Sequence, residues 1–82
     1  MKRVRYTADA ARALKRHAQV ADRLRRKLSE YAENPASQAN NVKALTGVDA
    51  KRLRSGDFRV IFTETAEEIL VIAVGPRGSI YE

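Results

Sequence analysis

The chain has 82 residues, a size that makes one domain, which we place at residues 1–82. It contains no cysteine, which excludes disulfides and thiolate metal sites and is typical of the reducing cytoplasm where we expect it to act. Sixteen Lys and Arg against ten Asp and Glu give a net charge of +6, which favours a polyanionic partner. No apolar segment is long enough to predict a signal peptide or membrane span.

The N-terminal part predicts a strand followed by two helices. Residues 2–6 alternate basic and apolar side chains, as in a strand with one wet face. Thr7 can cap the next helix, and Asp9 in its first turn suits the positive end of the helix dipole. Two apolar stripes at helical spacing follow, formed by Ala11, Leu14 and Ala18 and then by Val20, Leu24, Leu28 and Tyr31. Asn34-Pro35 ends the second helix, because the residue before proline avoids the helical region.

Three further features of this half are interpreted structurally. Residues 23–27 of the second helix carry a basic run, which usually forms a solvated face and would extend a nucleic-acid footprint only as the minor alternative. His17 has no partner at metal-ligand spacing and is interpreted as a helix-end cation. Residues 36–42 are polar and predict an irregular connection.

The C-terminal part predicts a small sheet. Residues 50–54, 58–62 and 69–74 form three strands, separated by short turns at Ser55–Asp57 and at Thr65–Glu68 that make neighbours antiparallel. The fold class is therefore α+β with the order β-α-α-β-β-β. The helical hairpin packs on one face of a small, mostly antiparallel, twisted sheet, and the opposite face is expected to stay open.

Arg59 is the most unusual residue of these strands. Alternation places Phe58, Val60 and Phe62 on one face, so Arg59 lies on the other face in the middle of a strand. A charge there is rarely buried without a partner. Two interpretations remain open at this point: the guanidinium pairs with a nearby Glu, such as Glu64, Glu67 or Glu68, or it lines an anion-binding concavity.

Five motifs follow one another along nearly the whole chain. They are a Tyr-Thr helix start, a Glu-Asn-Pro helix end, a Leu-x-Gly step at Leu45–Gly47, the segment Arg-Ser-Gly-Asp-Phe-Arg-Val-Ile-Phe at residues 54–62, and a closing Val-Gly-x-Arg followed by Ile-Tyr. In this order they resemble the RelE/ParE superfamily of toxins from type II toxin–antitoxin modules. The RelE-like branch is favoured.

The resemblance to RelE-like members implies a metal-independent endoribonuclease without a cofactor, which cuts mRNA on the ribosome and so inhibits translation. Carried over by motif, Arg59 and Arg77 hold or stabilise the scissile phosphate, and Tyr81 is the C-terminal acid or base. Lys51, Arg52 and Arg54 are expected to bind RNA. The implied partners are a cognate antitoxin protein, the ribosome and mRNA, and the antitoxin complex is expected to bind operator DNA.

The chain also departs from the family pattern. Pro76 stands where many relatives have a histidine or lysine, and residues 77–81 form a shorter segment than in some active members. Two alternatives therefore accompany the ribonuclease: a ParE-like toxin that inhibits DNA gyrase without catalysis, and a decayed toxin that serves only as corepressor with its antitoxin. For Tyr81 itself, the alternative to a role as acid or base is an aromatic residue that only packs on a short edge strand.

Overall fold

The computed structural model describes residues 2–78. It has two helices and five strands in this part of the chain, and one short 3₁₀ helix, Pro35–Gln38, follows the second helix. In chain order they are β1 (Arg3–Tyr6), α1 (Ala8–Arg16), α2 (Ala18–Glu33), β2 (Val42–Ala44), β3 (Lys51–Ser55), β4 (Phe58–Glu64) and β5 (Glu68–Pro76). Neither helix has the length and apolar character that a transmembrane span within residues 2–78 would require.

The helix boundaries follow the predicted local chemistry. Thr7 Oγ1 accepts a hydrogen bond from the backbone N–H of Ala10 at 3.2 Å and so caps α1. α1 ends at Arg16, and His17 separates it from α2 with non-helical backbone angles. α2 ends at Glu33, directly before Asn34-Pro35, as predicted.

The five strands form one sheet in the order β1-β5-β4-β3-β2. β1 pairs with β5 in parallel, and the three remaining pairs are antiparallel. The predicted α+β class, with helices on a mostly antiparallel sheet, is confirmed. β2 was not predicted, because residues 36–42 have no strand pattern of their own and Val42 gains its strand conformation by pairing with Leu53 of β3.

The core lies between the two helices and one face of the sheet. Leu24 and Leu28 of α2 belong to the same core cluster as Leu53 and Phe62 of the central strands, and all four are at most 1% exposed. Each such side chain contributes about 1.5–3 kcal/mol relative to an exposed one. Burial of this face fixes which side chains of every strand point away from the helices.

A register shift between β4 and β5 keeps both strands aligned with this core. Ile61 pairs with Ala73 and Phe62 with Val71, so Ile72 is the extra residue of a β-bulge. Because of the bulge, Val71 and Val74 are both buried although they are three residues apart. Gly75 consequently lies on the face away from the helices, next to Arg59.

Candidate functional site

The candidate site lies on the sheet face opposite the helices, where the strand register gathers arginines. Leu53 points into the core, so alternation puts Arg52 and Arg54 of β3 on the other face. Arg54 pairs in register with Arg59 of β4. Directly opposed like charges destabilise a sheet, so such a pair is stabilised by contact with an anionic group.

Arg59 itself is buried, with only 5% of its surface exposed. Its Nη1 makes long contacts to the carbonyl oxygens of Gly56, at 3.5 Å, and Phe58, at 3.4 Å. Ile61 on the same face is fully buried. The expectation that this face is open is therefore wrong at its centre, where Arg59 and Ile61 are buried, and correct at Arg54, which is exposed.

Arg77 lies immediately beyond β5 at the same end of the sheet. Its backbone N–H donates to the carbonyl of Asp57 in the β3–β4 turn, which continues the strand pairing by one residue. Gly75, two residues before Arg77, pairs in register with Arg59. Arg52, Arg54 and Arg59 thus share one face of the central strands, and Arg77 lies at the end of the same strands. We call these four residues the arginine corner; Tyr81 lies outside the described residues.

Lys51 does not belong to this corner. It pairs in register with Phe62 and therefore lies on the helix side, opposite to its neighbour Arg52. Its Nζ donates to Glu64 Oε1 at 2.7 Å and to Tyr31 Oη at 3.2 Å. Lys51 and Arg52, which are both expected to bind RNA, thus lie on opposite faces of the sheet, since adjacent strand residues face opposite ways.

Glu64 is the acceptor that organises the Lys51 side of the sheet. It also pairs with Lys2 through Oε2 and accepts from Tyr31 Oη at 2.7 Å. Burial raises the pKa of Glu64, but hydrogen bonds from Lys2, Lys51 and Tyr31 outweigh it and lower that pKa to about 2. The hydrogen bond to Glu64 raises the pKa of Lys51. The pKa of Tyr31 is also raised, mainly by burial and secondly by its hydrogen bond to Glu64.

Two of the three Glu residues considered as partners of Arg59 form ion pairs with other cations. Glu64 binds the two lysines, and Glu68 pairs with Arg5 at 3.7 Å. The sequence did not indicate the Glu64 cluster, because its members come from four separate segments and meet only through strand register. His17 packs the edge of its ring on Phe58, with ring centroids 4.9 Å apart, as suits the structural role that we expected.

A cavity of about 430 Å³ adjoins the Glu64 cluster. Lys2, Lys51 and Glu64 line its polar side, and Phe62 and Val48 contribute apolar surface. Among residues 2–78, no group of three His, Asp or Glu side chains lies close enough together to hold a metal ion. The cations of this cavity are paired with Glu64, so the arginine corner is the better candidate for binding a phosphate.

Comparison with known protein families gives this arrangement its context. The sequence model of one family, described as "ParE toxin of type II toxin-antitoxin system, parDE", matches residues 4–81. The chain belongs to this toxin family. The resemblance to the RelE/ParE superfamily is thereby confirmed, and the protein is a toxin of a type II toxin–antitoxin system. No curated protein sequence matches the toxin significantly.

Solved structures share the fold of the toxin over almost its whole length. It is similar to a chain of the archaeal RelE–RelB complex from Pyrococcus horikoshii, with 24% identity, a TM-score of 0.77, and coverage of 96% of this chain and 98% of that one. A chain of the intact RelBE toxin–antitoxin complex of E. coli is 27% identical, with a TM-score of 0.70 and coverage of 93% and 96%. A YafQ mutant from E. coli is 13% identical, with a TM-score of 0.75 and full coverage of both chains.

Proposed function

We propose that this toxin is a ribosome-dependent mRNA endoribonuclease that inhibits translation. The observation that carries the proposal is that strand register places Arg52, Arg54 and Arg59 on one face of the central strands, with Arg77 at the end of the same strands. Four cations with a directly opposed Arg54–Arg59 pair suit a phosphodiester backbone, which brings its own negative charge. The similarity to RelE structures supports the same proposal.

The reaction needs charge stabilisation more than covalent chemistry from the protein. The ribose 2′-oxygen attacks the adjacent phosphorus, the new P–O bond forms, and the bond to the 5′-oxygen breaks. A base takes the 2′-hydroxyl proton, and an acid protonates the leaving oxygen. In this scheme Arg59 and Arg77 stabilise the extra negative charge on the phosphate, and Tyr81 serves as acid or base.

The arginines differ in burial, and we assign them different roles on that basis. A guanidinium surrounded by protein is in a lower local dielectric than one in water, so its field at a nearby phosphate is stronger. Arg54 is exposed and can meet the incoming backbone first. We assign binding mainly to Arg52 and Arg54, and transition-state stabilisation mainly to Arg59 and Arg77.

An antitoxin is the partner that we propose for regulation. Related toxin chains crystallised as RelE–RelB and RelBE complexes. A net charge of +6 on a small domain favours an acidic chain that folds as it binds, and such binding would stabilise the toxin by mass action. We propose that the resulting complex also binds operator DNA. The toxin is proposed to act in the cytoplasm, where ribosomes and mRNA are found.

The proposal is tested by mapping the 5′ ends of cellular mRNA after the toxin is induced, followed by single-turnover cleavage on programmed ribosomes. Arg77→Ala should slow cleavage by about 10² or more, because it removes a charge needed most in the transition state. Ribosome binding should weaken far less. Arg16→Ala, at the exposed end of α1, is the matched control and should cut at the normal rate.

Tyr81→Phe separates proton transfer from packing, since it removes only the hydroxyl group. A slow variant with an unchanged melting temperature would support Tyr81 as acid or base, and near-normal cutting would remove it from the mechanism. The ParE family description makes gyrase inhibition the second candidate function. Inhibited DNA supercoiling with no cut mRNA would overturn the ribonuclease proposal in its favour, and the absence of growth arrest would favour the corepressor.

A further inference from the structure

Arg23 is a helix residue that reaches the β3–β4 turn. Its Nε donates to Ser55 Oγ at 3.1 Å, and its Nη2 donates to the Ser55 carbonyl oxygen at 3.2 Å. One planar guanidinium therefore holds both the side chain and the backbone of Ser55, which is 7% exposed. Arg23 is an exposed member of the basic run at residues 23–27, and these two bonds tie its head group to the turn.

Gly56, the residue after Ser55, lies directly beside the same guanidinium. Gly56 has a φ of +60°, in the left-handed region that glycine adopts without strain. A Cβ added at Gly56 would lie 3.1 Å from Arg23 Nη2. The missing side chain thus leaves room for Arg23 to lie against the turn.

The turn also contacts both arginines that we assign to the transition state. The Gly56 carbonyl accepts from Arg59 Nη1 at 3.5 Å, and the Asp57 carbonyl accepts from the backbone N–H of Arg77. Three consecutive residues, 55–57, are therefore tied in turn to Arg23, Arg59 and Arg77. Movement of the turn would change the spacing of the two arginines.

We propose that Arg23 is a positioning residue for the catalytic arginines, acting from α2 through the β3–β4 turn. The proposal rests on the ribonuclease function, and adds to it a residue on the helical layer that does not touch RNA at the arginine corner. A misplacement of about 1 Å in a catalytic group can cost about 100-fold in rate. Loss of Arg23 loosens the turn without removing any cation from the corner, so its effect falls on the rate.

Single-turnover cleavage at saturating ribosome concentration tests the catalytic part. Arg23→Gln should lower the maximal rate by about tenfold, within the range expected for lost positioning, and leave the half-saturating ribosome concentration within about twofold. Arg23→Lys should remain slow, because an ammonium keeps the charge but lacks the planar fork that holds Ser55 at two points. Arg26→Gln removes the same charge from an exposed position of α2 and should behave as wild type.

Amide hydrogen exchange of the purified toxin alone tests the positioning part. The Arg77 amide, which donates to Asp57, should exchange at least about tenfold faster in Arg23→Gln, in keeping with local opening of the turn. The Thr65 amide, which donates to Glu68 in the other hairpin, should be unchanged. Unchanged Arg77 exchange, or full activity of Arg23→Lys, would overturn the positioning role even if wild-type toxin cuts mRNA. Absence of cleavage by the wild type would instead overturn the proposed function, and the catalytic role of Arg23 with it.

Discussion

Glu64 shows how one side chain can join several elements of a small protein. Its carboxylate, 11% exposed, accepts from Lys2 before β1, Tyr31 of α2 and Lys51 of β3. An isolated carboxylate in this position would have a raised pKa because burial disfavours its charge. The three donors reverse that effect, so the ionised form is the one that stabilises the fold.

Glu64→Gln should destabilise the toxin in a pH-dependent way. A lowered folded-state pKa means that the unfolded chain binds a proton more readily, so the contribution is present above about pH 4.5 and is lost as pH falls toward about 2. With allowance for solvent screening, the loss in the free energy of unfolding at pH 7 should be about 2 kcal/mol. Urea denaturation at pH 7, 4 and 2 measures it.

The matched control is Glu67→Gln, at an exposed position in the β4–β5 turn, which should unfold like the wild type at each pH. The difference in the free energy of unfolding between Glu64→Gln and wild type should disappear as the pH falls toward 2. A difference that stays constant down to pH 2 would show that Glu64 contributes through packing and not through its charge.

At the scale of elements, the two turns that precede and follow β3 offer a natural comparison. Gly47 and Gly56 both have positive φ, +81° and +60°. Alanine in that region costs about 1–2 kcal/mol at either site. An added Cβ has nothing within 4 Å at Gly47 but approaches the Arg23 guanidinium at Gly56.

Gly56→Ala should therefore destabilise the toxin more than Gly47→Ala, by about 1 kcal/mol, since a displaced Arg23 gives up its bonds to Ser55. Chemical denaturation of both variants measures the difference. Only Gly56→Ala should also slow cleavage, because only that turn contacts Arg59 and Arg77. Equal losses of stability together with equal rates would contradict the coupling between Arg23 and the turn.

Local sequence signals account for the elements that the sequence predicted. β4 and β5 have β-branched and aromatic runs bounded by turn residues, and the helices have apolar stripes with a cap at Thr7 and a stop at Asn34-Pro35. β2 has only three residues and depends on its pairing with β3, so no local pattern announces it. Alternation correctly predicts that Arg59 faces away from Phe62, but its burial depends on what packs around it.

The division between Lys51 and Arg52 illustrates the same limit for the site. Adjacent basic residues read as one cluster along the chain, yet alternation alone implies that they point to opposite faces. The side that each occupies depends on Leu53 entering the core. The ion pair between Lys51 and Glu64 spans the β3–β4 hairpin, so it depends on the register of both strands. The sequence alone does not give that register.

Over the whole molecule, the helical layer and the far side of the sheet differ in how their positive charge is compensated. Arg12 and Arg25 on the helices have Asp9 and Asp22 one turn away. Arg77 lies just beyond β5, and the strands of the described chain carry six further basic residues on the far face of the sheet, together with the acidic residue Glu68. These basic residues are Arg3, Arg5, Lys43, Arg52, Arg54 and Arg59. The sheet face therefore attracts a polyanion more strongly than the helices do.

Charge reversal in matched pairs tests this asymmetry. Arg52→Glu with Arg54→Glu should weaken ribosome binding strongly and reduce the slope of log affinity against log salt by about 1.5, since two phosphate contacts are lost. Arg25→Glu with Arg26→Glu changes the charge of α2 by the same amount and should have less than half that effect. Lys51 is left intact because its charge is bound to Glu64, so its reversal would test the fold and not RNA binding. Binding is measured from low to physiological salt with variants of normal melting temperature, and a larger loss for the helix pair would place the nucleic-acid contact on α2 instead of the sheet.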